Sequence, residues 1–211
     1  VCETDAGFNM TSVLNGNPQT TGTWTDPNGI PHGSTFLPGL DIPGTYLYTV
    51  TGGFPCPPDI TPLTVVVNDA ANAGGDASVT VCSDAPPFLL VDQLNGTPDL
   101  GGTWTDPNGD PLLGGTYTPG TSTQGTYTYT VPGDAPCNDD QATVEVFENP
   151  EPDAGTSTTV TFCANGPSVN LFTQLGGTPD PTGTWSGPGG PFNGTFLPGS
   201  DQPGVYTYTV N

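Results

Sequence analysis

Apolar and polar residues alternate strictly along Gly125-Thr126-Tyr127-Thr128-Tyr129-Thr130-Val131, placing Tyr127, Tyr129 and Val131 on one face and three threonines on the other. Period two over such a run predicts a half-buried antiparallel strand. The pattern recurs at Tyr46, Tyr48 and Val50 and again at Tyr206, Tyr208 and Val210. A second stripe, read as a strand, passes through Phe88, Leu90 and Leu94, with Phe8, Met10 and Leu14 and with Val169, Leu171 and Leu175 as its equivalents. Val144-Glu145-Val146 and Leu63-Thr64-Val65 read as the closing strand of a module, and nothing has helical spacing. Turn signals at Pro27-Asn28-Gly29, Pro107-Asn108-Gly109 and Pro119-Gly120 separate the strands. Six or seven short strands in about 80 residues, with no helix, predict an all-β, immunoglobulin-like sandwich.

The sandwich is repeated. Trp24, Trp104 and Trp185 recur at a nearly constant interval, and Cys2, Cys82 and Cys163 recur at the same one. Thr23 to Gly29 recurs letter for letter at Thr103 to Gly109, whereas the third copy reads Thr184-Trp185-Ser186-Gly187-Pro188-Gly189-Gly190. A fixed period of this kind marks an array of small modules. We expect three: residues 1–72, cut at their N-terminal side, 73–151, complete, and 152–211, cut at their C-terminal side. Trp24, Trp104, Trp185, Tyr46, Tyr127 and Tyr206 are the expected core anchors, because a small sandwich needs large apolar residues at its centre. The linkers, Asn68 to Gly75 and the proline-bearing Asn149 to Gly155, favour extension, so the domains are expected end to end.

Charge narrows the partners. The chain has no Lys or Arg, 21 Asp plus Glu and a formal net charge of −21. The acids fall 6, 12 and 3 across the three copies. Nucleic acid and anionic membrane surfaces would find no cationic partner, and lysine-based isopeptide crosslinks cannot form. Gly and Pro number 31 and 26, a share at which an aperiodic chain is suspected of disorder, but the period and the alternating strands argue for folded modules.

Modules this small bury little apolar area and call for a staple. The spacing from Cys2 to Cys56 nearly equals that from Cys82 to Cys137, so one disulfide is expected inside each complete copy, with the partner of Cys163 beyond Asn211. Disulfides place the protein outside the cell. Zinc is disfavoured, since there is no Cys-x-x-Cys and His32 is the sole histidine.

No nucleophile elbow or phosphate-binding Gly-Lys motif occurs, and oxyanion stabilisation would rest on backbone amides alone, so no enzymatic activity is expected. Asp139-Asp140 reads as a solvated turn rather than a glycosidase dyad. No cofactor is expected apart from calcium, for which Asp26, Asn28, Asp106, Asn108 and Asp110 are the candidate ligands; the third copy carries Gly187 and Gly189 instead, and Asp-Pro-Asn-Gly is also an ordinary self-capped turn. The tryptophans invite a sugar-stacking reading, against which their fixed place in every module favours a core role. Asn9, Asn95 and Asn193 begin N-glycosylation sequons.

The combination Leu94-Asn95-Gly96-Thr97-Pro98-Asp99, Gly102 to Gly109, Gly115-Thr116-Tyr117-Thr118-Pro119, Gly125 to Val131 and Pro136-Cys137 resembles the tandem repeats of very large surface adhesins of Bacteroidota exported by the type 9 secretion system. The resemblance implies an extracellular stalk or filament that holds an adhesive tip, or itself, away from the cell. Expected partners are the neighbouring repeats and, in a filament, other copies; no membrane insertion is expected in this segment. Two alternatives stand beside the stalk: a carbohydrate-binding array that recognises surface glycans, and a calcium-stiffened extender.

Overall fold

The computed structural model describes residues Val1–Asn211. Repeat 1 contains β1 (Phe8–Asn9), β2 (Thr23–Thr25), β3 (Pro31–His32), β4 (Thr35–Phe36), β5 (Gly44–Val50) and β6 (Asp59–Val65). Repeat 2 contains seven strands: β7 (Ala77–Cys82), β8 (Phe88–Leu89), β9 (Thr103–Thr105), β10 (Pro111–Leu112), β11 (Thr116–Tyr117), β12 (Gly125–Val131) and β13 (Asp140–Asn149). Repeat 3 contains β14 (Val169–Asn170), β15 (Thr184–Gly187), β16 (Gly190–Phe192), β17 (Thr195–Phe196) and β18 (Thr207–Thr209). The chain is therefore a tandem array of immunoglobulin-like sandwiches. No helix is long and apolar enough to cross a membrane.

In repeat 2 a five-stranded sheet, ordered β10-β9-β12-β13-β7, is joined by the two-stranded sheet β11-β8. β12 pairs antiparallel with β13 so that Tyr127 opposes Val144 and Tyr129 opposes Ala142. Opposed residues share a face, which is why Tyr127, Tyr129, Ala142, Val144 and Val146 are all buried in one core with Trp104, Leu90 and Tyr117. Trp104 opposes Tyr129 across β9 and β12, ring centroids 4.9 Å apart, and Tyr117 meets Tyr127 edge to face at 5.6 Å. Repeat 1 repeats the plan, with β3-β2-β5-β6 in one sheet, β1-β4 in the other and a core of Met10, Trp24, Phe36, Tyr46, Tyr48 and Val65.

The stripe through Phe88, Leu90 and Leu94 is not a continuous strand. After β8 the chain turns into a 3-10 helix, Leu90–Gln93, and the equivalents Met10–Val13 and Leu171–Gln174 do the same. In repeats 1 and 3 the cause is local: the side chains of Asn9 and Asn170 accept from the amides of Thr11 and Phe172, capping the turn. Leu90 and Met10 are still fully buried, so the apolar spacing is satisfied by a different backbone.

One device recurs in every repeat. The Tyr129 hydroxyl donates to the Asp99 carbonyl at 2.8 Å and accepts from the Gly102 amide at 2.9 Å. Tyr48 with Gln19 and Gly22, and Tyr208 with Asp180 and Gly183, do likewise. A Cβ on Gly102 would lie 2.5 Å from the Tyr129 ring, so glycine is required for the approach. Tyr129→Phe removes the partner of the partly buried Gly102 amide and of the carbonyl of exposed Asp99, and is expected to cost about 1 kcal/mol. Thermal melting checks this; an unchanged melting temperature would show that water replaces the hydroxyl freely.

The chain divides into two compact units, Val1–Val81 with Ala85–Glu148, and Cys82–Asp84 with Asn149–Asn211. The first holds repeats 1 and 2, the second repeat 3. Trp24, Trp104, Tyr46 and Tyr127 are buried, at 3%, 7%, 1% and 2% exposure. Trp185 and Tyr206, expected among the core anchors, are only partly buried, and Trp185 packs against Tyr208 with ring centroids 5.0 Å apart. The sheet of repeat 3 is ordered β16-β15-β18.

Candidate functional site

The disulfide pattern departs from the one expected. Cys2 is bonded to Cys137, with Cα atoms 5.0 Å apart and a sequence separation of 135, while Cys56, Cys82 and Cys163 are free thiols. The expected Cys2–Cys56 and Cys82–Cys137 pairs are not made. The bond joins the first cysteine of repeat 1 to the loop cysteine of repeat 2, so it crosses the junction instead of closing a module. Sequence spacing could not distinguish these pairings, because in a periodic array a cysteine of one copy and its equivalent in the next lie on equivalent loops.

The junction is built from the linker outward. Cys2 forms a parallel bridge with Asn68, its amide capped by the Asp5 carboxylate at 2.8 Å. Glu3 donates its amide to the Asn68 carbonyl and accepts from the Ala70 amide with its own carboxylate. The Asn68 side chain then reaches into the loop of repeat 2, donating to the Ala135 carbonyl at 2.8 Å, and Cys137 sits in the turn closed by its amide on the Asp134 carbonyl. Asn68 thus touches the surroundings of both half-cystines, and Cys2 and Cys137 are buried to 3% and 8% exposure.

Residues beyond Asn68 do not behave as a loose spacer. Asn72 accepts from the Asp99 amide with its carbonyl, and its own amide and side chain donate to the Asp99 carboxylate and the Thr97 carbonyl. The Ala73 amide donates to Asp140 Oδ2 at 2.8 Å, and Gly75 bridges antiparallel to Asn95. Asp76 accepts from both the amide and the hydroxyl of Thr143. The linker is therefore stitched to repeat 2 before it becomes β7. The second linker uses the same chemistry on repeat 3: the amides of Asp153 and Asp180 donate to the Asp180 carboxylate and the Asp153 carbonyl, and Thr156 bridges Gly176.

The candidate calcium ligands are engaged in their own turns. Asp26 Oδ1 accepts from the amides of Asn28 and Ile30, and Asp106 Oδ1 from those of Asn108 and Asp110. The Asn108 side chain donates to Asp106 Oδ2 at 3.3 Å. The Asp110 amide first, then Asn108 and Gly109, hold the Asp106 carboxyl below its ordinary range against a desolvation pull in the other direction. Nowhere do three acidic, histidine or cysteine side chains converge as a metal cage. The buried indoles of Trp24 and Trp104 offer no open face for a sugar. Of the sequon asparagines, Asn9 and Asn193 cap the amides of Thr11 and Thr195, and Asn95 donates to the Asp76 carbonyl.

His32 is a titratable feature of repeat 1 alone. Burial pulls its imidazole down, but the bond to the Gly33 carbonyl at 2.8 Å, the Asp41 carboxylate at 3.3 Å and the more distant Asp26 outweigh it, leaving the ring above its ordinary 6.5. Asp41 in turn accepts from the Leu37 amide. A base whose folded-state pKa is raised contributes stability that is complete below the unfolded value and fades as pH rises past the folded one. The melting temperature of the natural chain minus that of His32→Gln is thus expected to be larger at about pH 5.5 than at about pH 8.5. An equal difference at both would mean that Asp41 does not sense the ring.

Neither family models nor curated proteins match the sequence. Among solved structures, the chain is similar to the insect immune protein hemolin, whose crystal structure is described as a domain arrangement with implications for homophilic adhesion. Identity is 20% and the TM-score 0.38, over 68% of this chain and 38% of that one, so this chain spans under two-fifths of hemolin's length.

Proposed function

We propose that this chain is a structural segment of an extracellular adhesin stalk or surface filament, in which successive sandwiches are joined covalently so that the array resists extension. One observation carries the reading: the Cys2–Cys137 bond links neighbouring repeats rather than stapling one. A disulfide inside each module would serve the stability of that module, whereas a bond across the junction serves the array. The linker bonds of Asn72, Ala73 and Asp76 to repeat 2 support the same reading, since they remove the freedom that a flexible tether would keep. The net charge of −21 suits a surface that must remain dispersed and hydrated.

The resemblance to Bacteroidota surface repeats supplies the setting: export through the outer membrane and display on the cell. Immunogold labelling of intact cells expressing the protein tests it. Label on extended structures outside the outer membrane supports the stalk. Label confined to the cell interior would overturn it.

A further inference from the structure

The outward face of the large sheet in repeat 2 carries more than solvated threonines. Strand alternation puts Thr126 of β12 opposite Glu145 of β13 on that face, while Val144 and Val146 on either side of Glu145 are buried in the core. Where the second linker half turns into β7, a groove of about 680 Å3 opens beside this pair, lined by Asp76, Ser78, Gln93, Asn95, Thr126 and Glu145 together with Ala77 and Thr143. Ala77 aside, every wall is polar: two carboxylates, two carboxamides and three hydroxyls. Two residues beyond Glu145 on the same face stands Phe147, 47% exposed and roughly 7 Å further along the strand.

Bonds within the chain hold the groove in shape. The Thr143 amide and hydroxyl both donate to Asp76 Oδ1, at 2.8 and 2.9 Å, which leaves Oδ2 available to a guest. The Asn95 side chain donates to the Asp76 carbonyl, and its backbone exchanges two hydrogen bonds with Gly75. Ser78, Thr126 and Glu145 are exposed. Nor does the sandwich need these side chains. The counterparts of Asn95 and Thr126 in repeat 3 are Gly176 and Val205, and those of Thr143, Glu145 and Phe147 in repeat 1 are Pro62, Thr64 and Val66. Repeat 2 alone combines the polar groove with the aromatic beside it.

We propose that this groove of repeat 2 binds an uncharged oligosaccharide. The carboxylates of Asp76 and Glu145 accept from neighbouring sugar hydroxyls in charge-assisted bonds, and the Gln93 amide and the Ser78 and Thr126 hydroxyls donate to sugar oxygens. Phe147 offers its ring to the C–H face of the next sugar along the strand. A preformed concavity with a few placed polar groups and one aromatic wall suits a ligand whose faces alternate between hydroxyls and C–H. Uronates and sulfated sugars are rejected, because two carboxylates would face them and the chain has no Lys or Arg to offset the repulsion. A divalent cation would want more acidic ligands than converge here, and would give Phe147 no role. A stalk needs no ligand along its shaft, so the site stands or falls separately from the stalk reading.

The intact chain is applied to an array of neutral and acidic oligosaccharides, and the tightest neutral binder is then titrated by calorimetry against the natural chain, Glu145→Gln and Phe147→Ala. Repeat 1 carries Thr64 and Val66 at these places, so both variants are expected to fold, which melting checks. Each should lose affinity on the order of tenfold, whereas His32→Gln in repeat 1 keeps the natural value. Affinity should also be the same at low and high salt, since the ligand carries no charge. Failure to bind any neutral oligosaccharide, a preference for acidic ones, or undiminished affinity in both folded variants would overturn the proposal. Calcium chloride binding that is lost in Glu145→Gln, with no neutral sugar bound, would overturn it too and make the groove a cation site.

Discussion

Stretched from its two ends under non-reducing conditions, the chain is expected to yield no length from the residues between Cys2 and Cys137. Tension entering at Val1 passes through the disulfide to Cys137, and the intervening 135-residue separation, which spans most of repeats 1 and 2, is left unloaded. After reduction the same segment becomes extensible and should add about 450–490 Å of contour length at ~3.3–3.6 Å per residue. Bonds within modules would give a different signature, because Cys2–Cys56 and Cys82–Cys137 would release two separate, shorter increments of nearly equal size. Single-molecule force spectroscopy with and without reductant distinguishes the two. Equal contour lengths in both conditions would remove the junction bond from the account.

The second large effect is on stability. Closing a loop with a sequence separation of 135 constrains the unfolded chain by about 5 kcal/mol in the entropic model, more than a bond within one module would. Cys137→Ser or Cys2→Ser is therefore expected to lower the melting temperature of the unit formed by repeats 1 and 2 by about 10–20 °C, at roughly 2–4 °C per kcal/mol for a unit of this size. Cys56→Ser should leave it unchanged, since that thiol is exposed and unbonded. Calorimetry on the three variants makes the comparison. A loss with Cys56→Ser equal to that with Cys2→Ser would restore the pairing within repeat 1.

The fold was open to reading because the residues that decide it are few and patterned. Tyr127, Tyr129 and Val131 on one face, opposite Val144 and Ala142, specify a sheet with one buried side, and the recurrence marked by Trp24, Trp104 and Trp185 repeats that sheet along the chain. The 3-10 turns after β1, β8 and β14 were hidden because Met10, Leu90 and Leu171 are buried whichever backbone carries them. Sequence also concealed the junction. Its cysteines are the same residues that an intramodular bond would use, and what selects Cys137 for Cys2 is the course of Asn68 across both, a tertiary fact with no signature in spacing. Asp26 and Asp106 looked the same as ligands or as turn caps, and the amides of Asn28, Ile30, Asn108 and Asp110 fill the second role.

The pairing of the cysteines decides whether repeats 1 and 2 are joined covalently. Because the chain has no Lys or Arg, the non-reduced protein is digested with proteases that cut at acidic and aromatic residues, with free thiols blocked beforehand, and the crosslinked peptides are sequenced by mass spectrometry. One linked pair is expected, a peptide containing Cys2 joined to a peptide containing Cys137, with Cys56, Cys82 and Cys163 carrying the blocking group. Recovery of Cys2 linked to Cys56 and of Cys82 linked to Cys137 would contradict it, and would return each disulfide to the interior of its own repeat.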